Sequence, residues 1–298
     1  MDFPATGNAA ASRPSAGTAW LFAALAAYCA ATWLDVNVFA LGVHNLTPLR
    51  LGAGVALVMY LRTGWQAMPL IAVLSLAITL LAGPDQHAAP PLSCALSAAA
   101  SDALSGGVAA ALLRHVFAVP PANVPDLFRA VGKVCLPAAL SGAGIIVVQQ
   151  VAGGYLPWNQ AGHMFATLGM AVSLGLLLVY PLYRAGFAQR RLTGGESRWV
   201  GGVLGGNMVF LALSFNGYAG CIYFIMPLLV LLAYQVRLNG LMLALAPSMM
   251  AVAYSATQGF GPFQMPTTGE AAFLLATFMS STTLVTLEIG RASCRERV

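Results

Sequence analysis

Apolar positions along this chain fall in long unbroken runs separated by short polar connections. Strands of an outer-membrane barrel alternate polar and apolar side chains over about ten residues. Here the runs are continuous and about 17–22 residues long, the length at which a helix crosses a bilayer. They predict helices over 18–39, 51–61, the stretch after Trp65 to 81, 92–113, 134–151, 162–183, 199–215, 219–236, 238–257 and 270–287. The expected fold is all-α: a polytopic transmembrane helical bundle of about ten helices, eight at the fewest. Its most legible unit is the pair of runs joined by Arg62, Thr63, Gly64 and Trp65, which reads as a helical hairpin with arms of membrane length.

Composition supports an integral membrane protein. Of 298 residues, 59% are hydrophobic and 8% charged, where a soluble domain carries about a quarter charged residues. Residues 1–17, rich in Ala, Ser and Pro, read as a cytoplasmic N-terminal tail. A cleaved signal peptide is the rival reading of the first run; the many later spans and Asp35 near its end favour an uncleaved helix. The formal charge of +5 comes from basic residues set singly or in small clusters between apolar runs, so it marks topology and not a nucleic-acid surface. With both ends cytoplasmic, the inner side receives Arg13, Arg62, Arg114, Arg129, Lys133, Arg184, Arg190, Arg191, Arg198 and Arg237, and the outer side only Arg50.

Polar groups inside the runs are the candidate sites. Asp35, Arg50 and Asp102 lie nearest the membrane interior, where an unpaired charge costs at least about 2.5–3.5 kcal/mol. Asp35 ends the first helix and Arg50 begins the second, both near the outer face, which favours a structural Asp35–Arg50 pair or interfacial snorkelling, with a ligand, signal or proton site as the alternative. Asp102, deeper and in a helix rich in small residues, is expected either to bond a neighbouring helix or to sense a signal. Gln149 and Gln150 are expected to bond between helices. His44, His87 and His163 share no helical spacing and read as solvated outer loop residues, not as metal ligands. Cys29, Cys94, Cys135 and Cys221 sit in separate runs without ligand spacing, so they read as small buried side chains. No cofactor, metal or catalytic set is predicted. Ten helices could also form two inverted halves of a small secondary transporter, although no sequence echo links the halves.

Residues 289–298 break with the pattern: a basic decapeptide follows the last run without a linker and resembles a translated sequencing adapter. The end from 288 onward is therefore expected to be non-native, and a downstream domain to be missing.

Several stretches carry a family resemblance. Residues 54–69 (GVALVMYLRTGWQAMP), 174–182 (LGLLLVYPL), 226–240 (MPLLVLLAYQVRLNG) and 259–263 (GFGPF) stand in the order seen in the type 1 MASE (membrane-associated sensor) domain, and the chain resembles that family from 47 to 287. It departs from the family at 46–51, where Leu-Thr-Pro-Leu-Arg-Leu replaces an aromatic–proline motif. Ser101 and Asp102 stand for a fuller polar patch in helix four, and Phe165 with Gly169 and Met170 for the polar pattern before the later glycine–proline helix. The resemblance implies a sensory input domain in the inner membrane of a bacterium, spanning 18–287. It implies a missing cytoplasmic output domain of diguanylate cyclase, phosphodiesterase or histidine kinase type, a small signal as ligand, and a homodimer as assembly. The chain itself would not be an enzyme.

Overall fold

The computed structural model describes residues 18–41, 46–81, 92–116, 130–187, 192–265 and 267–296. Among them every regular element is helical, apart from an isolated antiparallel bridge between Leu41 and Leu46. The α-helices are α1 (Thr18–Asn37), α2 (Leu51–Thr63), α3 (Ala67–Leu81), α4 (Leu92–Val116), α5 (Leu136–Ala152), α6 (Trp158–Phe187), α7 (Gly194–Phe215), α8 (Ile225–Gln235), α9 (Leu238–Thr257) and α10 (Thr268–Glu296). By length and composition, the described residues hold seven apolar helical stretches of membrane-crossing length, of which one, Leu51–Leu81, is broken at Gly64. The predicted loops containing His44, His87, Arg129, Arg190 and Arg191 lie outside the described residues.

Several boundaries differ from the sequence pattern for local reasons. Helix α7 starts at Gly194, not Trp199, because Thr193 and Glu196 form a capping box: Glu196 N–H donates to Thr193 Oγ1 at 3.3 Å and Thr193 N–H to Glu196 Oε2 at 2.9 Å. The run at 219–236 is not one α-helix; a 3₁₀ segment, Ala219–Phe224, leads into the short α8. Helix α6 is 30 residues long and takes in Trp158 and His163, so His163 stands on an exposed helix face, edge-on to Phe273. Residues 289–296 continue α10 as helix, and Gly290 packs against Leu241 and Ala233. Cys135 is buried, whereas Cys29, Cys94 and Cys221 are half-exposed free thiols.

The 31-residue apolar stretch Leu51–Leu81 reverses at Gly64. On the way in, Ala56 lies against Gly106, and Arg114 donates to the Tyr60 and Leu61 carbonyls at 2.6 and 3.1 Å, so α2 runs parallel to α4. On the way back Trp65 lies over Gly107, Ser75 reaches Asp102, and Leu76 faces the same groove as Leu96, so α3 runs antiparallel. Gly64 makes the reversal at φ 72°, a backbone region that L side chains avoid. The hairpin is therefore real, but its arms are not of membrane length. Thirteen residues of α2 rise about 20 Å, against a hydrocarbon core of about 30 Å.

Helix α2 occupies only one half of the bundle's height. Its first residues contact Asp102, the eleventh residue of the 25-residue α4, and Ala171, near the middle of α6. The other half of this column holds non-helical chain from residues 38–41 and 46–50, in which Phe39, Leu46, Thr47 and Leu49 are buried. Leu46 packs into a cluster with Ile146, Leu156, Met164 and Ala272 at the far end of α5, α6 and α10. Non-helical backbone at membrane depth is viable only where protein surrounds it, and the mutual Leu41–Leu46 hydrogen bonds of 2.9 and 3.2 Å satisfy part of it.

Helix α6 is the axis of the assembly. It packs on α2 and α5 from the first half and on α9 and α10 from the second. Helix α10 runs parallel to it, with Phe273 against His163 and Thr277 against Met170. It also runs parallel to the 219–235 segment, through Phe278 on Tyr223 and Ser293 on Tyr234.

Candidate functional site

Five helices meet at the start of α2. Arg50, the residue before that helix, sends its guanidinium to Asp102 on α4 at 2.6 Å, with the two side chains 11% and 4% exposed. The second Asp102 oxygen accepts from Ser75 Oγ of α3 at 2.8 Å and from Tyr28 OH of α1 at 3.5 Å. Asp35, near the end of α1, takes the N-terminus of α2: its two oxygens accept from Leu51 N–H at 2.9 Å and Gly52 N–H at 2.8 Å. A helix start leaves its first N–H groups unsatisfied and carries partial positive charge, so the carboxylate answers both needs at once.

The fifth helix of the site, α6, arrives through backbone. Arg50 N–H donates to the Ala171 carbonyl at 3.2 Å. A Cβ built on Gly175 would overlap the Arg50 carbonyl, and one on Gly54 would overlap the Gly175 carbonyl. Only glycine at both positions lets α2 and α6 come this close, the small-residue packing typical of membrane helices. Gly54 and Gly175 are the first glycines of two stretches that carry the family resemblance, and the structure sets them against each other.

All three sequence candidates therefore converge. The pairing does not follow the sequence expectation: Arg50 pairs with Asp102, and Asp35 caps a helix. Sequence proximity favoured Asp35–Arg50, but Asp35 accepts from the first two N–H groups of α2, while the Arg50 side chain reaches α4. The site also lies at mid-height and not near one face. Gln149 bonds between helices as expected, donating to Ser93 Oγ at 3.1 Å and accepting from Ser97 Oγ at 3.2 Å.

Residues that the sequence reading passed over are Tyr28, Thr32 and Ser75. Tyr28, Thr32 and Asp35 stand at i, i+4 and i+7 on α1, so a polar stripe on an apolar helix was readable. Thr32 is 3% exposed, and its Oγ1 has no hydrogen-bond partner among the described residues; it lies against Gly52 beside the Asp35 carboxylate. Ser75 is a single hydroxyl in an apolar helix and carried no signal. Chemically the arrangement is a closed charge network: one guanidinium, two carboxylates and one helix N-terminus. It couples α1, α2, α3, α4 and α6 through one point.

A protein-family model described as MASE1 matches residues 20–297 of the 298-residue chain. No curated protein and no solved structure matches it. Matched along nearly its whole length, and folded as an apolar helical bundle around a buried charge network, the chain belongs to the MASE1 family of membrane-associated sensor domains.

Proposed function

We propose that the chain is the sensory input domain of a bacterial inner-membrane signalling protein, and that its cue acts on the Arg50–Asp102 network. The observation that carries this reading is the placement of that ion pair. It fastens α1, α3 and α4 to the start of α2, and α2 is in backbone contact with α6, along which α10 lies. A small signal that loosens the pair frees α2 to move on α6, and α10 carries the displacement to a cytoplasmic output domain of diguanylate cyclase, phosphodiesterase or histidine kinase type. Both ends of the bundle are cytoplasmic in this reading, and two copies act as a homodimer. The domain itself performs no chemistry.

The test is a fusion of the chain, in frame after α10, to a diguanylate cyclase reporter. Arg50→Gln and Asp102→Asn are expected to lock cyclic di-GMP output at one extreme while the fusion stays in the membrane. Wild-type output from both variants would refute the proposal. One observation favours a second reading, a small transporter: α2 is a half-helix beginning at mid-height, as at transporter substrate sites. Saturable solute uptake by proteoliposomes carrying the chain alone would decide for it.

A further inference from the structure

A cavity of about 290 Å³ lies away from the charge network, at the end of the bundle where α6 and α10 finish. That volume is at the lower edge of ligand-sized pockets. Its inner wall is apolar, made by Leu57 of α2, Leu113 of α4, Leu177 of α6 and Leu287 of α10. Arg184, Asn239 and Arg291 stand on the lining toward the helix ends. Arg184 is exposed. From Leu177 to Arg184 the α6 axis rises about 10 Å, so an apolar interior and a cationic mouth are stacked along one direction. Among the described residues, no acidic side chain contributes to the wall.

We infer that this cavity binds one acyl chain of an anionic membrane lipid, with the headgroup phosphate held at Arg184 and Asn239. Apolar depth takes the chain. A mouth between helices that carries the exposed Arg184, with no acidic side chain lining it among the described residues, takes a net negative headgroup, as basic pockets between transmembrane helices do. A soluble anion would leave the leucine wall unused, and an uncharged apolar molecule would leave Arg184 unused. The lining draws on both parts of the bundle, α2 and α4 on one side and α9 and α10 on the other, with α6 between. The bound chain therefore braces α10 against α2, so lipid composition sets the resting position of the last helix. This holds whichever domain follows α10.

The experiment uses the whole chain, purified in mild detergent and titrated with dioleoyl phosphatidylglycerol or dioleoyl phosphatidylcholine, with bound lipid counted by native mass spectrometry. One phosphatidylglycerol per chain is expected to survive detergent exchange, and phosphatidylcholine is not. Arg184→Gln is expected to weaken retention about fivefold, the effect of one basic residue on an anionic headgroup. Leu177→Trp, which fills the interior, is expected to abolish retention. Equal retention of the two lipids, or retention unchanged in Arg184→Gln, overturns the inference; because Arg184 is exposed, that variant is informative even if Leu177→Trp fails to fold. Displacement of the lipid by inorganic phosphate alone, with headgroup binding intact in Leu177→Trp, assigns the mouth to a soluble anion and also overturns it.

Discussion

Asp102 is the residue whose replacement separates charge from packing. Asp102→Asn keeps shape and leaves Arg50 buried without its ion-pair partner, a change that costs about 3–5 kcal/mol. Removing both charges together, as Arg50→Met with Asp102→Leu, is expected to restore most of that loss. Helical circular dichroism melts in detergent measure both, and a single variant as stable as the wild type would mean the pair holds nothing together. Asp35→Ala strips an acceptor from two N–H groups and is expected to cost about 1–3 kcal/mol. Gly175→Ala forces α2 and α6 apart, at about 1–3 kcal/mol or more. At this scale the sequence was informative about which residues matter, because a charge inside an apolar run must find a partner. It was not informative about partners: Asp35 and Arg50 are close in the chain, but the choice between a guanidinium and a helix start depends on where α4 stands in space.

Among the elements, the α2–α3 hairpin was legible as a hairpin and illegible in depth. A basic residue and a glycine between apolar runs mark a turn, and Gly64 turns the chain there. Run length cannot tell a full span from a half-helix whose column is completed by irregular chain, since both read as continuous hydrophobicity. The 46–51 departure from the family pattern falls on this irregular segment and the start of α2. The α7 start illustrates the opposite case: Thr193 and Glu196 are a capping signature visible in the sequence, passed over because the apolar run begins later. Thr193→Ala is expected to lower stability by about 1 kcal/mol, read as an earlier melt, with α7 fraying first in amide exchange. Glu196 also accepts from Arg237 N–H at 3.3 Å, so the same variant loosens the turn between α8 and α9.

For the molecule as a whole, the contacts collect Arg62, Arg114, Arg184 and Arg237 at one end. Arg62 bonds Tyr183, Arg114 bonds the end of α2, and the residues after Arg237 share a cavity with Arg184. Residues dispersed over 175 positions thus form one basic rim, and a basic rim faces the cytoplasm in most inner-membrane proteins. Single cysteines placed at Arg62 and Arg237, in a chain cleared of its own, are expected to resist a membrane-impermeant maleimide in intact cells. Cysteines at Trp158 and Asn216 are expected to react. The reverse pattern would invert the proposed orientation. Segment order and the basic rim could be read from sequence. The central position of α6 could not, because its evidence is two glycines 121 positions apart that match only when the chains touch.

The half-helix carries a consequence for how the protein is made. Helix α2 is too short to cross the bilayer, and Arg50 meets no partner until Asp102 and then Ala171 leave the ribosome, on the order of ten seconds later at usual translation speeds. Until then the start of α2 has its Asp35 cap, but the insertion machinery holds the arginine and the irregular segment without the helices that later surround them. Nascent chains halted after α3 should therefore be extracted from membranes by alkali, and chains halted after α6 should resist it, so that the first hairpin is written early and seated late.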